Sequence, residues 1–137
     1  NDDLICSCLL HDYGHFILDN PDELVKENLD GKHEDIGYEY LKNIFKKEII
    51  EPIKYHVQAK RYLARDKKYF NLLSEALKIS LKLQGGLLND DECIKFEAQD
   101  YFKSTILLRK FDEAAKKTDI KMKSIHDYKK LLTSKLK

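Results

Sequence analysis

The sequence has few of the residues that interrupt helices. Among its 137 residues there are only two Pro and five Gly, and long stretches contain neither. Hydrophobic residues make up 42% of the chain. Because Gly and Pro mark turns and breaks, their scarcity beside an ample supply of core residues favours an all-helical protein. A chain of this length is expected to form one domain with a core of its own.

Cysteines and long apolar runs are also scarce. There are three cysteines, and Cys6 and Cys8 lie too close along one predicted helix to form an unstrained bridge. An odd number of this kind argues against a disulfide framework. No apolar run approaches the roughly 18 residues of a membrane span, and no signal peptide is visible. The sequence therefore predicts a cytoplasmic protein with no membrane partner.

Charged residues are abundant, but neither sign is in excess. Lys and Arg number 25 against 24 Asp and Glu, which gives a net charge of +1. A general nucleic-acid binder carries a basic excess, so we expect no nucleic-acid partner. The last stretch, about residues 120–137, is amphipathic and rich in lysine. We interpret its basic stripe as a solvated face in preference to membrane or nucleic-acid contact.

The predicted architecture is one all-α domain over residues 1–137, with a core of about 4–117 and a C-terminal amphipathic helix of about 120–137. The first helix ends near His11, with Gly14 as its C-cap. Its predicted buried face consists of Leu4, Ile5, Cys8 and Leu9. Periodicity and capping residues predict a short helix from Asn20, a turn at 29–32, and helices at about 33–45, 48–65, 69–83 (one or two helices), 89–96 and 101–116.

A His-Asp pair, His11 and Asp12, falls at the inner end of the first predicted helix. Burying an imidazole beside a carboxylate is costly unless something compensates, and both groups are good ligands for a divalent or trivalent metal ion. The pair therefore indicates a metal site. The simpler alternative is a helix end at which Asp12 only orients His11.

Three further helices each bring a ligand type onto a face predicted to be buried: His33, His56 and Asp112. Helix bundles build metal sites from facing side chains of this kind. For each residue alone, a hydrogen-bonded structural role is the simpler interpretation. Chance would have to place a ligand type on the buried face of four separate helices, so the whole set predicts a metal centre. One carboxylate can bridge two ions, and Asp12 is the natural bridge because it is adjacent to His11. Imidazole and carboxylate ligands suit Fe, Mn, Co and Zn alike, so the sequence does not identify the metal.

Five segments carry a resemblance to a known family. The order His-Asp, His, His, Asp is similar to the signature of the HD-domain superfamily. The local sequences resemble more narrowly the phosphonate-cleaving HD-domain oxygenases, mixed-valence diiron enzymes related to myo-inositol oxygenase. These segments are residues 9–16 (LLHDYGHF), 33–37 (HEDIG), 56–63 (HVQAKRYL), 83–86 (LQGG) and 108–116 (LRKFDEAAK). The resemblance covers nearly all of the chain from 9 to 117.

The resemblance implies an HD-domain helical bundle with a defined set of site residues. Two iron ions, one Fe(II) and one Fe(III), would be bound with Asp12 as the bridge, and O2 would be the co-substrate. The implied metal ligands are His11, Asp12, His33, His56 and Asp112, of which the first two form the catalytic pair. The implied substrate-binding residues are His15, Lys60, Ser80, Gln84 and Arg109. Lys60 lies one turn beyond His56 and Arg109 one turn before Asp112, positions suited to a dianionic phosphonate.

The activity implied is oxidative cleavage of the C–P bond of a small 1-hydroxyphosphonate, which releases phosphate and a carboxylic acid. The family has a further histidine ligand before the His-Asp pair, and this sequence has none before His11. Since the chain also begins without Met, we interpret its N terminus as truncated. Either the upstream ligand has been lost with that segment or the activity is absent, and we expect the chain by itself to bind one iron weakly and to be inactive.

Two alternatives use the same residues differently. A metal-dependent HD-domain phosphohydrolase would activate water instead of oxygen. A regulatory HD module would carry a decayed site. Residues 60–62 (KRY) and 84–86 (QGG) resemble the oxygenases, which speaks against the phosphohydrolase. The presence of all five metal-ligand residues argues against a decayed site. Neither the particular phosphonate nor the oligomeric state follows from the sequence.

Overall fold

The computed structural model of the protein describes residues 1–18, 31–116 and 123–137. Within these ranges the regular elements are helices, and the extended segments pair only through a single antiparallel bridge between Phe45 and Leu136. The predicted all-α fold class is confirmed. The helices are α1 (Asp2–Leu10), α2 (Gly14–Ile17), α3 (His33–Leu41), α4 (Lys47–Leu63), α5 (Lys67–Leu72), α6 (Glu75–Leu83), α7 (Asp90–Glu97), α8 (Phe102–Ala115) and α9 (Ile125–Ser134).

The longest helix, α4, lies at the centre of the described part of the chain and packs against α1, α3 and α8. Its apolar residues recur at helical spacing, and Ile49 and Ile53 are fully buried. The polar residues His56 and Lys60 occur on the same buried side, 3% and 4% exposed. The predicted helix of 48–65 differs from the observed bounds of α4 by one residue at its start and two at its end. Its polar residues face the interior, as their spacing indicated.

The first helix packs through a different face from the one predicted. Cys6 and Ser7 are fully buried, whereas Ile5 is 39% exposed. The Ser7 hydroxyl donates a hydrogen bond of 2.8 Å to the carbonyl of Ile49 in α4. Apolar periodicity misassigned this face because the close contact between α1 and α4 is made by a small polar side chain whose hydroxyl is satisfied by the backbone.

Gly14 does not act as the predicted C-cap of α1. It begins α2 and is buried against the start of α3. A Cβ atom at Gly14 would lie 1.8 Å from the carbonyl oxygen of His33 and 3.0 Å from the backbone nitrogen of Gly37. Glycine is needed here because two helix backbones come into contact, and this contact brings the His11–Asp12 segment against His33.

Helices α5, α6 and α7 agree with their predicted positions, and α7 agrees with its predicted cap. The region 69–83 forms two helices, α5 and α6, and the Ser74 hydroxyl accepts a hydrogen bond from the amide of Leu77 at the start of α6. The predicted cap at Asn89 is a capping box with Glu92. Tyr40 in α3 and Ile94 in α7 are large apolar residues that are nevertheless 53% and 66% exposed. The predicted helix from Asn20, the first half of the turn at 29–32 and the start of the predicted tail lie outside the described residues.

The C-terminal helix α9 begins with a capping box formed by Ser124 and Asp127. Leu131 and Leu132 pack against the core cluster that contains Cys6 and Ile49. Helix α9 lies within the predicted amphipathic stretch of 120–137. The division of the chain into a core and an appended helix stays a prediction. None of the described helices is long and apolar enough to cross a bilayer.

Candidate metal centre

Three imidazoles and two carboxylates meet where the end of α1, the start of α3, the middle of α4 and the end of α8 come together. The Nε2 atoms of His33 and His56 are 3.0 Å apart. Asp12 Oδ1 lies 3.5 Å from His33 Nε2 and 3.8 Å from His56 Nε2. His11 Nε2 lies 3.2 Å from Asp12 Oδ2 and 3.7 Å from Asp112 Oδ1. Four helical segments that are distant in sequence therefore present nitrogen and oxygen atoms to one region.

Two of the imidazoles are oriented by their own helices. His11 Nδ1 donates to the carbonyl of Cys8 at 2.8 Å, and His56 Nδ1 donates to the carbonyl of Ile53 at 2.6 Å. With its hydrogen on Nδ1, each neutral ring keeps a lone pair on Nε2, which is the atom that faces the centre. Metal-binding histidines are oriented in this way in proteins, with the second nitrogen bonded to a carbonyl or carboxylate.

The electrostatics favour the ligand forms of His56 and Asp12, whereas they shift His11 toward its protonated form. Burial lowers the pKa of His56 well below its ordinary value, and the charges of His11 and His33 lower it further. Burial raises the pKa of Asp12, but hydrogen bonds from His11 and His33 outweigh it and hold that pKa far below the ordinary value. Burial lowers the pKa of His11, but the hydrogen bond to Asp12 and the charges of Asp12 and Asp112 together outweigh burial and leave that pKa raised. A neutral His56 and an ionised Asp12 are the states that bind a metal ion.

The donor set fits a metal ion. The Nε2 atoms of His33 and His56 face one another and Asp12 Oδ1, an arrangement that a cation between them would stabilise. Two ligand atoms that each lie about 2.0–2.1 Å from one ion are about 2.8–3.4 Å apart at angles of 90–109°, and the distances of 3.0 and 3.2 Å here are of that size. Imidazole and carboxylate together suit Fe, Mn, Co and Zn.

His15 lies at the outer edge of the same group. Asp12, His15 and His33 each offer a ligand atom, and these three atoms lie within 4.8 Å of one another. The rings of His15 and His33 stack with their centroids 3.9 Å apart and an interplanar angle of 15°. Since its side chain is 49% exposed, His15 is accessible to a molecule that approaches the centre from solvent.

The other predicted substrate-binding residues border the centre on the side of α4 and α6. Lys60, one turn beyond His56, donates a hydrogen bond of 3.0 Å to the Ser80 hydroxyl. Gln84 lines a cavity of about 220 Å³ together with Glu34. Its Oε1 atom is buried and has no hydrogen-bond partner among the described residues. Glu34 Oε2 in turn lies 3.5 Å from His33 Nδ1, which places the cavity next to the imidazoles.

Arg109 is 4% exposed and turns toward acidic side chains. Its Nε atom donates to the Tyr69 hydroxyl at 3.1 Å, its Nη1 atom to Asp112 Oδ2 at 2.6 Å, and its Nη2 atom to Glu113 Oε1. Tyr69 and Glu113 were not predicted as part of the site. The spacing of Glu113, one turn after Arg109, gives a local signal for such a pair. Nothing local indicates Tyr69, which comes from another helix.

The structure thus brings the five predicted ligands to one place and the five predicted substrate contacts to its borders. Their assignment as metal ligands or substrate contacts stays a prediction. The ligands are His11, Asp12, His33, His56 and Asp112, and the bordering residues are His15, Lys60, Ser80, Gln84 and Arg109.

A helical bundle in which a His-Asp pair meets histidines and an aspartate from other helices is the arrangement expected of the HD-domain class. Residues 1–101 match the family model of the HD domain. The chain therefore belongs to the HD-domain family, and the resemblance drawn from the motifs is confirmed.

Individual relatives narrow the comparison. The chain is 41% identical over 128 residues to a hydroxymethylphosphonate dioxygenase of Gimesia maris, across 90% of this chain and 63% of that protein. It is 42% identical over 120 residues to a glycine-betaine-forming [1-hydroxy-2-(trimethylamino)ethyl]phosphonate dioxygenase of Leisingera caerulea, across 87% of this chain and 61% of that protein. A protein of Acanthamoeba polyphaga mimivirus is 33% identical over 133 residues, across 95% of this chain and 61% of that protein. The chain spans about three fifths of the length of the curated relatives it matches.

Proposed function

We propose that the chain carries the metal centre of an iron-dependent oxygenase that cleaves the C–P bond of a small 1-hydroxyphosphonate. The observation that carries the proposal is the convergence of three imidazole Nε2 atoms and two carboxylates in one place. The names of two relatives describe dioxygenases acting on phosphonates with a hydroxyl on the carbon next to phosphorus. That shared group defines the substrate class proposed here.

The proposed cofactor is a pair of iron ions bridged by Asp12, with His11, His33, His56 and Asp112 as further ligands. The two oxygens of Asp12 face different partners, because Oδ2 lies near His11 and Oδ1 near His33 and His56. A carboxylate with its oxygens directed to two groups of ligands supports the bridging role. When bound, iron supplies the activation of O2 and the chelation of the substrate oxygens.

The protein side chains would bind and orient the substrate. The buried ammonium of Lys60 is suited to the phosphonate dianion because a cation out of bulk water interacts strongly with an anion. Ser80 accepts its hydrogen bond and fixes its direction. The exposed imidazole of His15 adds a hydrogen-bond donor at the mouth of the centre. The carboxylate and phosphate products together contain two more oxygen atoms than the hydroxyphosphonate. In the overall reaction one O2 supplies both of these atoms.

Because the chain spans about three fifths of the length of its curated relatives, the proposal is tested on the protein with any natural upstream segment included. It is loaded with iron, and oxygen uptake and phosphate release are followed with hydroxymethylphosphonate. The matched control is methylphosphonate, which lacks the hydroxyl. Equal amounts of O2 consumed and phosphate released, with the hydroxylated compound alone, are the expected result. Hydrolysis of a phosphate monoester without oxygen uptake would instead show a phosphohydrolase. Iron binding with neither reaction would contradict the oxygenase assignment and favour a regulatory module.

A further inference from the structure

We propose that Tyr69 and Glu113 are positioning residues of the metal centre: they hold the guanidinium of Arg109, which holds the carboxylate of Asp112 against His11. The inference rests on the proposed function only in that Asp112 is taken as a metal ligand. It gives Arg109 a different role from the phosphonate contact implied by the family resemblance.

The contacts of Arg109 fix the guanidinium in three directions. Each of its three nitrogens has an acceptor among the described residues: Tyr69 at Nε, Asp112 at Nη1 and Glu113 at Nη2. A guanidinium is planar and rigid, so three such bonds define both its position and its plane. Because Tyr69 belongs to α5 and the other residues to α8, the Tyr69 bond also fixes the group relative to a second helix.

The Asp112 carboxylate depends on this support. Its Oδ2 atom accepts the bond of 2.6 Å from Arg109, which leaves Oδ1 directed toward His11 Nε2 at 3.7 Å. The side chain is 15% exposed, and its other cation, Lys116, lies 3.5 Å away and is 44% exposed. An exposed Lys contact of this kind contributes little. The buried guanidinium is therefore the group that sets the direction of Asp112.

The charges also speak against a direct phosphonate contact at Arg109. Its single positive charge lies between the carboxylates of Asp112 and Glu113, and Lys116 pairs with the same two carboxylates at 3.5 and 3.4 Å. A dianion would have to displace the buried ion pairs of Arg109 to reach the guanidinium. Support of a ligand by residues behind it is a common feature of metal sites, and losing such a residue lowers metal affinity.

The test is to titrate the whole chain anaerobically with Fe(II), and in parallel with Co(II) as a spectroscopic probe, in Tyr69→Phe and Glu113→Gln variants. We expect about 10- to 100-fold weaker binding of one metal ion and a change in the Co(II) absorption spectrum. The Tm of the metal-free variants is measured as well, because removing a partner of a buried guanidinium lowers stability by itself, and the Co(II) spectrum then reports the direction of the Asp112 ligand separately from that loss. Glu113→Asp is expected to restore part of the affinity.

Tyr62→Phe is the matched control, since it removes a Tyr–Glu hydrogen bond of 2.6 Å to Glu97 that does not involve the centre. It is expected to bind metal like the parent chain. Parent-like metal affinity and Co(II) spectra in Tyr69→Phe and Glu113→Gln, with altered binding of methylphosphonate, would overturn the positioning role and assign Arg109 to the substrate. Failure of the parent chain to bind either metal would contradict the proposed function itself, so the two failures are distinguishable.

Discussion

His11 and His56 obtain their orientation from the helix turn that precedes each of them. Both rings donate from Nδ1 to the carbonyl three residues earlier. His33 is the first residue of α3, and the corresponding position before it lies outside the described residues. Its Nδ1 instead has the Glu34 carboxylate 3.5 Å away. Backbone geometry alone therefore sets two of the three imidazoles, and a side chain contributes to the third.

At the residue scale, replacing Asp12 has the largest expected effect on metal binding. Its two oxygens are the atoms that approach His11 on one side and His33 and His56 on the other. The Asp12→Asn variant is expected to lower metal affinity by more than about 100-fold, since removing outer partners of ligands alone costs 10- to 100-fold. Metal content after dialysis, measured by elemental analysis, checks this. The control is Asp35→Asn, an exposed acid of α3; parent-like metal content in Asp12→Asn would rule out the bridging role.

Gly14 offers a second test at this scale, on stability. In Gly14→Ala the new methyl group would overlap the carbonyl of His33, which is backbone and cannot rotate away. We expect the free energy of unfolding to fall by about 1–3 kcal/mol, the usual cost of overpacking. Gly37→Ala is the comparison, because its Cβ would lie no closer than 3.2 Å to another atom and its helix propensity improves. Urea denaturation of the metal-free proteins measures both, and an unchanged Gly14→Ala midpoint would contradict the close contact.

At the scale of elements, periodicity predicted what a single helix determines. The positions of His56 and Lys60 on the buried side of α4 follow from their spacing to Ile53, and the structure buries both. Periodicity failed for α1, where Ser7 makes the contact with α4. A rule that searches for apolar residues cannot identify a hydroxyl whose burial is compensated by a carbonyl from a helix 42 positions further on.

Contacts between elements were the part that the sequence left open. The resemblance supplied Arg109 as a site residue, but its partner Tyr69 lies 40 residues earlier, and no local pattern links them. The cavity beside His33 likewise needs Gln84 from the end of α6 and Glu34 from the start of α3. Such pairs depend on how helices pack, and packing follows from the whole set of core side chains instead of from any one segment.

The docking of α9 on α1 gives a prediction about pH. The ion pair with Lys135, whose Nζ lies 2.9 Å from Asp3 Oδ1, lowers the pKa of Asp3 against the opposing effect of burial, and Lys46 lowers it further. Because the folded-state pKa lies below the ordinary value of 3.8, the contribution of Asp3 to stability is complete above that value and is lost as the pH falls through the folded-state pKa.

The measurement compares the metal-free parent chain with Asp3→Asn by thermal denaturation across acidic pH. The parent is expected to have the higher Tm near neutral pH, and the difference is expected to shrink as the pH falls below about 4. Asp2→Asn removes an exposed acid from the same helix turn and serves as the control for helix-dipole effects. A difference that stays constant down to the lowest pH would contradict the ion pair between α1 and α9.

At the scale of the whole molecule, the candidate centre exists only in the folded chain. Its ligands come from the end of α1, the start of α3, the middle of α4 and the end of α8, so an unfolded chain does not hold them together. In the folded chain, α4 packs against α1, α3 and α8 and therefore sets the distances among the ligands. Metal binding and folding are consequently coupled: an ion that binds the folded state alone stabilises it by mass action.

The coupling predicts that added metal raises the Tm of the protein. At a free Fe(II) or Co(II) concentration 100 times the dissociation constant, the stabilisation is about 2.7 kcal/mol. For a chain of this size this corresponds to an increase of roughly 10 °C. Differential scanning calorimetry with increasing metal measures it, and Asp12→Asn, which lacks the proposed bridge, is expected to show little of the increase. An equal rise in both proteins would mean that the ion binds elsewhere on the chain, because a ligand shifts the folding equilibrium only through the site that it occupies.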